Sequence, residues 1–144
     1  MRRGGLTVMV LGLGALLVGV PGCLRAQSSL NRAVEQARRA WLQHDVDALL
    51  ETSDTIRLQL PGVEVAGALR PGQAARLLER YLAPAQETGL ELREIRRGDS
   101  THAYAELDRH HAVSGTSDTE EDTLFFGFVL TGGEWHLVEL RVTP

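Results

Sequence analysis

From Leu30 onward the spacing of apolar positions changes twice, and the changes outline the fold. Leu30, Val34, Ala37 and Trp41 recur at steps of four, three and four, one face of a helix, with Arg32, Glu35, Gln36, Arg38 and Arg39 on the other. Ser28 and Ser29 are its candidate caps. At His44-Asp45 the pattern restarts, and Asp45 is placed to cap a short second helix carrying Val46, Ala48, Leu49 and Leu50. Ile56, Leu58 and Leu60 alternate with Arg57 and Gln59 as a half-buried strand closed by Pro61-Gly62. Pro71-Gly72 opens a third helix with Ala74, Leu77, Leu78, Tyr81 and Leu82, which Pro84 ends. The period then falls to two, predicting strands over 90–97, 101–113, 123–130 and 135–142. Gly98-Asp99, the polar stretch 114–122 and Thr131-Gly132-Gly133 are the turns between them. Three early helices and four late sequential strands predict an α+β domain whose helices cover one face of a curved antiparallel sheet.

The chain ahead of Leu30 reads as an export signal. Arg2 and Arg3 precede a stretch, 6–20, that is apolar apart from glycines and Thr7, and Pro21-Gly22 breaks it. Its fifteen residues rise only about 22 Å as a helix, short of a membrane span. Cleavage after Leu24-Arg25-Ala26 leaves a domain of residues 27–144, exported to the periplasm or the outside, with 1–26 as signal peptide. Val20-Pro21-Gly22-Cys23 instead resembles a bacterial lipobox, in which the Cys23 thiol takes a diacylglyceryl group and anchors the domain in the cell envelope. Cys23 is the single cysteine, so residues 27–144 carry no disulfide, thiolate metal site or cysteine nucleophile.

Charge narrows the partners. All fifteen basic residues are Arg; without Arg2, Arg3 and Arg25, 12 remain against 19 carboxylates, a net charge of −7. Nucleic acid is therefore not an expected partner, because phosphate binding needs clustered positive charge. The absence of Lys removes Schiff-base chemistry and a phosphate-binding P-loop, and no cofactor is implied.

The order of elements, with Ala40-Trp41-Leu42-Gln43-His44-Asp45-Val46-Asp47-Ala48-Leu49-Leu50 leading to Asp54-Thr55-Ile56-Arg57-Leu58-Gln59-Leu60-Pro61-Gly62, resembles the nuclear transport factor 2-like (SnoaL-like) superfamily. The C-terminal strand pair, turning at Thr131-Gly132-Gly133 before Trp135, is similar to exported bacterial members of unknown function. The resemblance implies a cone-shaped α+β barrel, three N-terminal helices packed on a curved antiparallel sheet. It also implies where isomerase relatives would keep their base and oxyanion donors. Those positions fall on Leu60, Ala37 and Phe126, none of which moves a proton or donates a side-chain hydrogen bond.

With Leu60 and Phe126 facing inward, period two places Ile56, Leu58, Leu124, Phe128 and Leu130 beside them, and the apolar pattern adds Ala103, Ala105, Leu107, Val138, Leu140 and Val142. Only Arg109 and His111, near a strand end, bring ionisable groups to that hydrocarbon interior. The expectation is thus an exported, non-enzymatic domain that binds a small apolar ligand or a protein partner. Its candidate ligand residues are Leu60, Tyr81, Arg109, Phe126 and Phe128, with Arg109 holding a ligand carboxylate by its guanidinium fork. Otherwise Arg109 forms a surface ion pair with Asp108, Glu106 or the acidic turn. The alternative is a cone-barrel enzyme of hydrolase, dehydratase or isomerase type, working through Arg109, His111 or Tyr81 at the mouth. His110-His111 with Glu120, Glu121 and Asp122 holds metal-ligand types, but adjacent strand residues face opposite ways, and no metal site is expected. His102, Tyr104, Glu106, Asp108 and His110 share one face, a surface for solvent, a protein partner or a homodimer formed through the sheet.

Overall fold

The computed structural model describes residues 21–64 and 67–144, without the side chains of Pro21 and Cys23, so the expected signal stretch 6–20 and the lipidation position lie outside what it describes. Three helices, α1 (Pro21–Leu42), α2 (Val46–Leu50) and α3 (Pro71–Leu82), pack on a sheet of five strands. The strands are β1 (Arg57–Gln59), β2 (Ala85–Arg97), β3 (His102–Val113), β4 (Thr119–Thr131) and β5 (Glu134–Thr143).

The first helix starts earlier than the expected caps. It runs from Pro21, and the Ser28 and Ser29 hydroxyls donate to the Arg25 and Ala26 carbonyls at 3.0 Å from inside it. Those bonds to the preceding turn are how a helix-interior serine satisfies its hydroxyl. Leu30 is the first of its described side chains to be buried. His44, at φ 53°, turns the chain out of α1, and Asp45 caps α2 by accepting from the Ala48 N–H at 3.0 Å. Pro71 occupies the first turn of α3, where its missing N–H costs nothing, and the Gln73 side chain accepts from the Arg70 N–H at 3.2 Å.

The strand order is β1-β5-β4-β3-β2, and β1 pairs parallel with β5, Leu58 opposite Leu140. The sheet is therefore mixed, not wholly antiparallel, and its two edges do not close on one another. Two strands are longer than their apolar pattern. β2 starts at Ala85 instead of 90, and β4 at Thr119 instead of 123, so 119–122 is ladder and not turn. Here Glu120, Glu121 and Asp122 stand opposite His111, His110 and Arg109, and cross-strand pairs of opposite sign favour pairing that an apolar count does not see. β2 is also irregular, with register shifts between Glu87 and Gly89 and between Leu92 and Glu94.

Between sheet and helices Leu58, Leu60, Leu107, Leu124, Phe126, Phe128, Leu140 and Val142 are buried as expected, and Leu130 partly so. Val138 is the exception. β4 steps from Gly127 to Phe128 while β5 steps from Glu139 to Leu137, leaving Val138 as the extra residue of a bulge. Leu137 takes the interior position, 1% exposed, and Val138 is half-buried outside it. The cone is filled: the Phe126 ring lies edge-on to Trp41 at 6.4 Å and to Phe128 at 6.3 Å between centroids.

Candidate functional site

One end of the cone carries a cluster of ionisable groups. The inward parity of β3 runs from Leu107 through Arg109 to His111, and all three are buried. Asp122 stands opposite Arg109 on β4 and continues inward the parity of Leu124 and Phe126. Glu87 enters from β2. The register shift between it and Gly89 turns its side chain in opposite His111, leaving it 2% exposed. α3 adds Tyr81, and the corner after α1 adds His44.

Arg109 is the hub, at 1% exposure, and nearly every donor it has is taken. Its Nε donates to both Glu87 oxygens at 3.2 and 3.0 Å, and Nη2 to Oε1 at 2.6 Å, a fork-on-carboxylate pair. Nη1 donates to the Tyr81 hydroxyl at 2.9 Å and to Asp122 Oδ2 at 3.0 Å. The guanidinium carbon also lies 5.2 Å from the Trp41 ring centre and 5.4 Å from that of Tyr81. One cation against two carboxylates leaves the trio at −1. Burial opposes the charge on Arg109, but the bonds and charge of Glu87, with the charges of Tyr81 and Asp122, together outweigh it and hold the guanidinium above its ordinary value. Burial likewise pushes the Tyr81 phenol up, with the Arg109 charge pulling the other way. Two histidines border the trio without hydrogen-bonding it: His44 Nε2 is 3.5 Å from Glu87, and His111 Nδ1 is 3.6 Å from Asp122. His111 Nε2 is 3.6 Å from Glu120.

Over this cluster opens a hollow of about 400 Å³ with Arg109, His111 and Asp122 on its floor. Its walls are Pro61, Tyr81, Pro84, Ala85 and Val113, with Arg80 and Glu120 also lining it. Of the expected ligand residues, the structure brings Tyr81 and Arg109 together here. Leu60, Phe126 and Phe128 instead belong to the packed core, and Phe128 borders a separate hollow of about 220 Å³ beside Ala37, Trp135 and Leu137. Nor is the Arg109 fork free for a ligand carboxylate, because Glu87 occupies it. The surface-pair reading of Arg109 changes too: Asp122 is a partner, but the pairing is buried. Asp108 and Glu106 go to Arg93, whose Nη1 lies 2.6 Å from Glu106. Ala37, Leu60 and Phe126, where isomerase relatives would keep their chemistry, are buried among hydrocarbon.

Sequence reasoning missed Glu87 and His44, and placed Asp122 in an exposed acidic turn, whereas its side chain is only 9% exposed. Asp122 was within reach, since the parity of Leu124, Phe126 and Phe128 carried back two residues marks it as inward. Glu87 was not, because the bulge breaks period two between it and Leu90. On the opposite face His102, Tyr104, Glu106, Asp108 and His110 point outward as expected, and the Tyr104 ring lies against Gly127, where an added Cβ would stand 3.2 Å from it. Among the described residues no group of three His, Cys, Asp or Glu side chains is arranged to hold a metal, and no helix is long and apolar enough to cross a membrane.

No protein-family model and no curated protein matches the chain. Solved structures do. A ketosteroid isomerase-like protein from Erwinia carotovora atroseptica superposes with TM-score 0.66 at 15% identity, over 80% of this chain and 92% of its own. A nuclear transport factor 2-like protein of unknown function from Pseudomonas putida gives 0.65 at 13% identity, over 83% and 87%. The chain has the nuclear transport factor 2-like fold. A further protein of that fold, from Streptomyces avermitilis and carrying a provisional dehydratase description, gives 0.64 at 13% identity over 83% of this chain and 95% of its own. At such identities the likeness establishes the nuclear transport factor 2-like architecture and leaves activity to the site itself.

Proposed function

We propose that this nuclear transport factor 2-like protein is an exported, non-enzymatic domain that binds a small ligand with an apolar body at the mouth of its cone. The observation that carries the reading is the hollow of about 400 Å³ with largely apolar walls, set on a floor whose ion pairs are already closed on one another. A volume of that size suits a small molecule, and a few polar groups in an apolar wall suit orientation more than chemistry. Against an enzyme of the isomerase type stand Leu60, Ala37 and Phe126 at the positions that would carry it. Export is supported by Arg2, Arg3 and the apolar 6–20, and by a core that takes in no described side chain before Leu30.

Native mass spectrometry of the exported protein tests the binding reading. A small molecule should accompany the wild-type protein and be lost from Ala85→Trp, which fills the hollow. A molecule retained equally by both would place binding elsewhere.

One observation favours a second reading, an acid–base enzyme. His111 sits beside Asp122 in the same hollow as Tyr81, whose hydroxyl accepts from Arg109 and so keeps its own hydrogen to donate. Turnover abolished by His111→Gln, with ligand binding intact, would establish that reading over the first.

A further inference from the structure

Resting on the binding reading, we infer that the ligand's polar end is a cation, a primary ammonium on an apolar body, and not a carboxylate. A carboxylate arriving at Arg109 finds the guanidinium edge covered by Glu87 and the remaining donors turned to Tyr81 and Asp122. It would meet a buried trio that already carries one negative charge in excess, where repulsion is only weakly screened.

An ammonium meets the opposite situation. Asp122 gives Oδ2 to Arg109, while its Oδ1 has no hydrogen-bond partner among the described residues. Glu120 stands on the same hollow with an exposed carboxylate, 3.6 Å from His111. The His111 side chain lines that hollow at 7% exposure, with Nδ1 buried 3.6 Å from Asp122 and Nε2 3.6 Å from Glu120, so the ring sits between the two carboxylates. Two carboxylates, those of Asp122 and Glu120, thus line the hollow as acceptors for an ammonium's donors. Pro61, Pro84, Ala85 and Val113 provide the apolar wall for the rest of the molecule. Arg80 is the opposing charge; it is exposed, so solvent screens it more than the buried trio.

The test uses the whole domain with two probes matched in chain length, n-hexylammonium and hexanoate, followed by amide chemical shifts at pH 7 and low salt. Hexylammonium should move the amides of 109–113 and 120–122 and bind at least tenfold tighter than hexanoate. Glu120→Gln, a change at an exposed side chain that spares the core, should weaken it at least threefold, and Ala85→Trp should abolish it. Tighter binding of hexanoate at these amides would overturn the choice of a cation and leave the binding reading standing. If neither probe moves these amides at millimolar concentration, both fail. Hexylammonium binding unchanged in both variants would mean diffuse attraction to an acidic protein, and would overturn the inference.

Discussion

Replacing Arg109 by Met tests most directly whether the mouth of the cone is held by a buried charge network. The substitution keeps most of the side-chain volume beside Trp41 and Tyr81 and removes the cation. It leaves Glu87, 2% exposed, and Asp122, 9% exposed, without the guanidinium and with only His44 and His111 beside them at 3.5 and 3.6 Å. Breaking a buried ion pair by deleting one partner costs roughly 3–5 kcal/mol, because the surviving charge is desolvated and uncompensated. That is a large share of a stability of about 5–15 kcal/mol. Urea denaturation followed by circular dichroism and by Trp fluorescence measures the loss, the Trp41 ring lying 5.2 Å from the guanidinium. Adding Glu87→Gln to Arg109→Met should then recover at least ~1 kcal/mol, since the second change removes one of the stranded charges and contacting groups are not additive. A loss in Arg109→Met below ~1 kcal/mol, the value of a surface pair, would refute the network. So would a double variant no more stable than the single one.

Phe128→Ala, which empties a position only 3% exposed between Phe126 and the helices, should cost about 3–5 kcal/mol by the same urea assay; a loss under ~1 kcal/mol would mean the ring is not packed in the core. In an alkaline absorbance titration Tyr81 should ionise above the ordinary 10.0, and Tyr81→Phe should delete that late step. Because its folded value is raised, Tyr81 contributes stability that is complete below pH 10.0 and lost as pH rises through the folded value, so the wild-type advantage over Tyr81→Phe should shrink in strong alkali. Mass spectrometry of the exported form should find a chain beginning at Gln27 without lipid; a diacylated chain beginning at Cys23 would instead put the domain on a membrane surface.

Much of the architecture could be read from periodicity, because each long strand has one face in hydrocarbon and one in water. The inward set 103, 105, 107 and 124, 126, 128 and the outward row from His102 to His110 follow directly from that asymmetry. The errors fall where another force sets the chain's course. Val138 and Glu87 sit at bulges, where one extra residue reverses parity and leaves no mark in composition. The start of β4 at Thr119 is set by His–Glu and Arg–Asp pairing across strands, which resembles a solvated turn to any reading based on hydrophobicity. The parallel seat of β1 beside β5 joins segments far apart in sequence. For the site, Arg109, Tyr81 and His111 were legible, and so was the acidic turn as a partner of Arg109, but Glu87 and the burial of the pairing were not. An arginine expected to greet a ligand proved to be spoken for.

The two register shifts in β2 bear on what the open border of the sheet offers to another chain. β2 is the longer free edge of an open sheet, and a straight edge of unpaired N–H and C=O groups is a template on which another chain can add a strand. Here the kinks interrupt the template twice within one strand, and Glu91, Arg93, Glu94, Arg96 and Arg97 crowd it with charges of both signs. The Arg38 side chain further claims the Leu90 carbonyl at 2.7 Å. Polymerisation through this border is thereby discouraged.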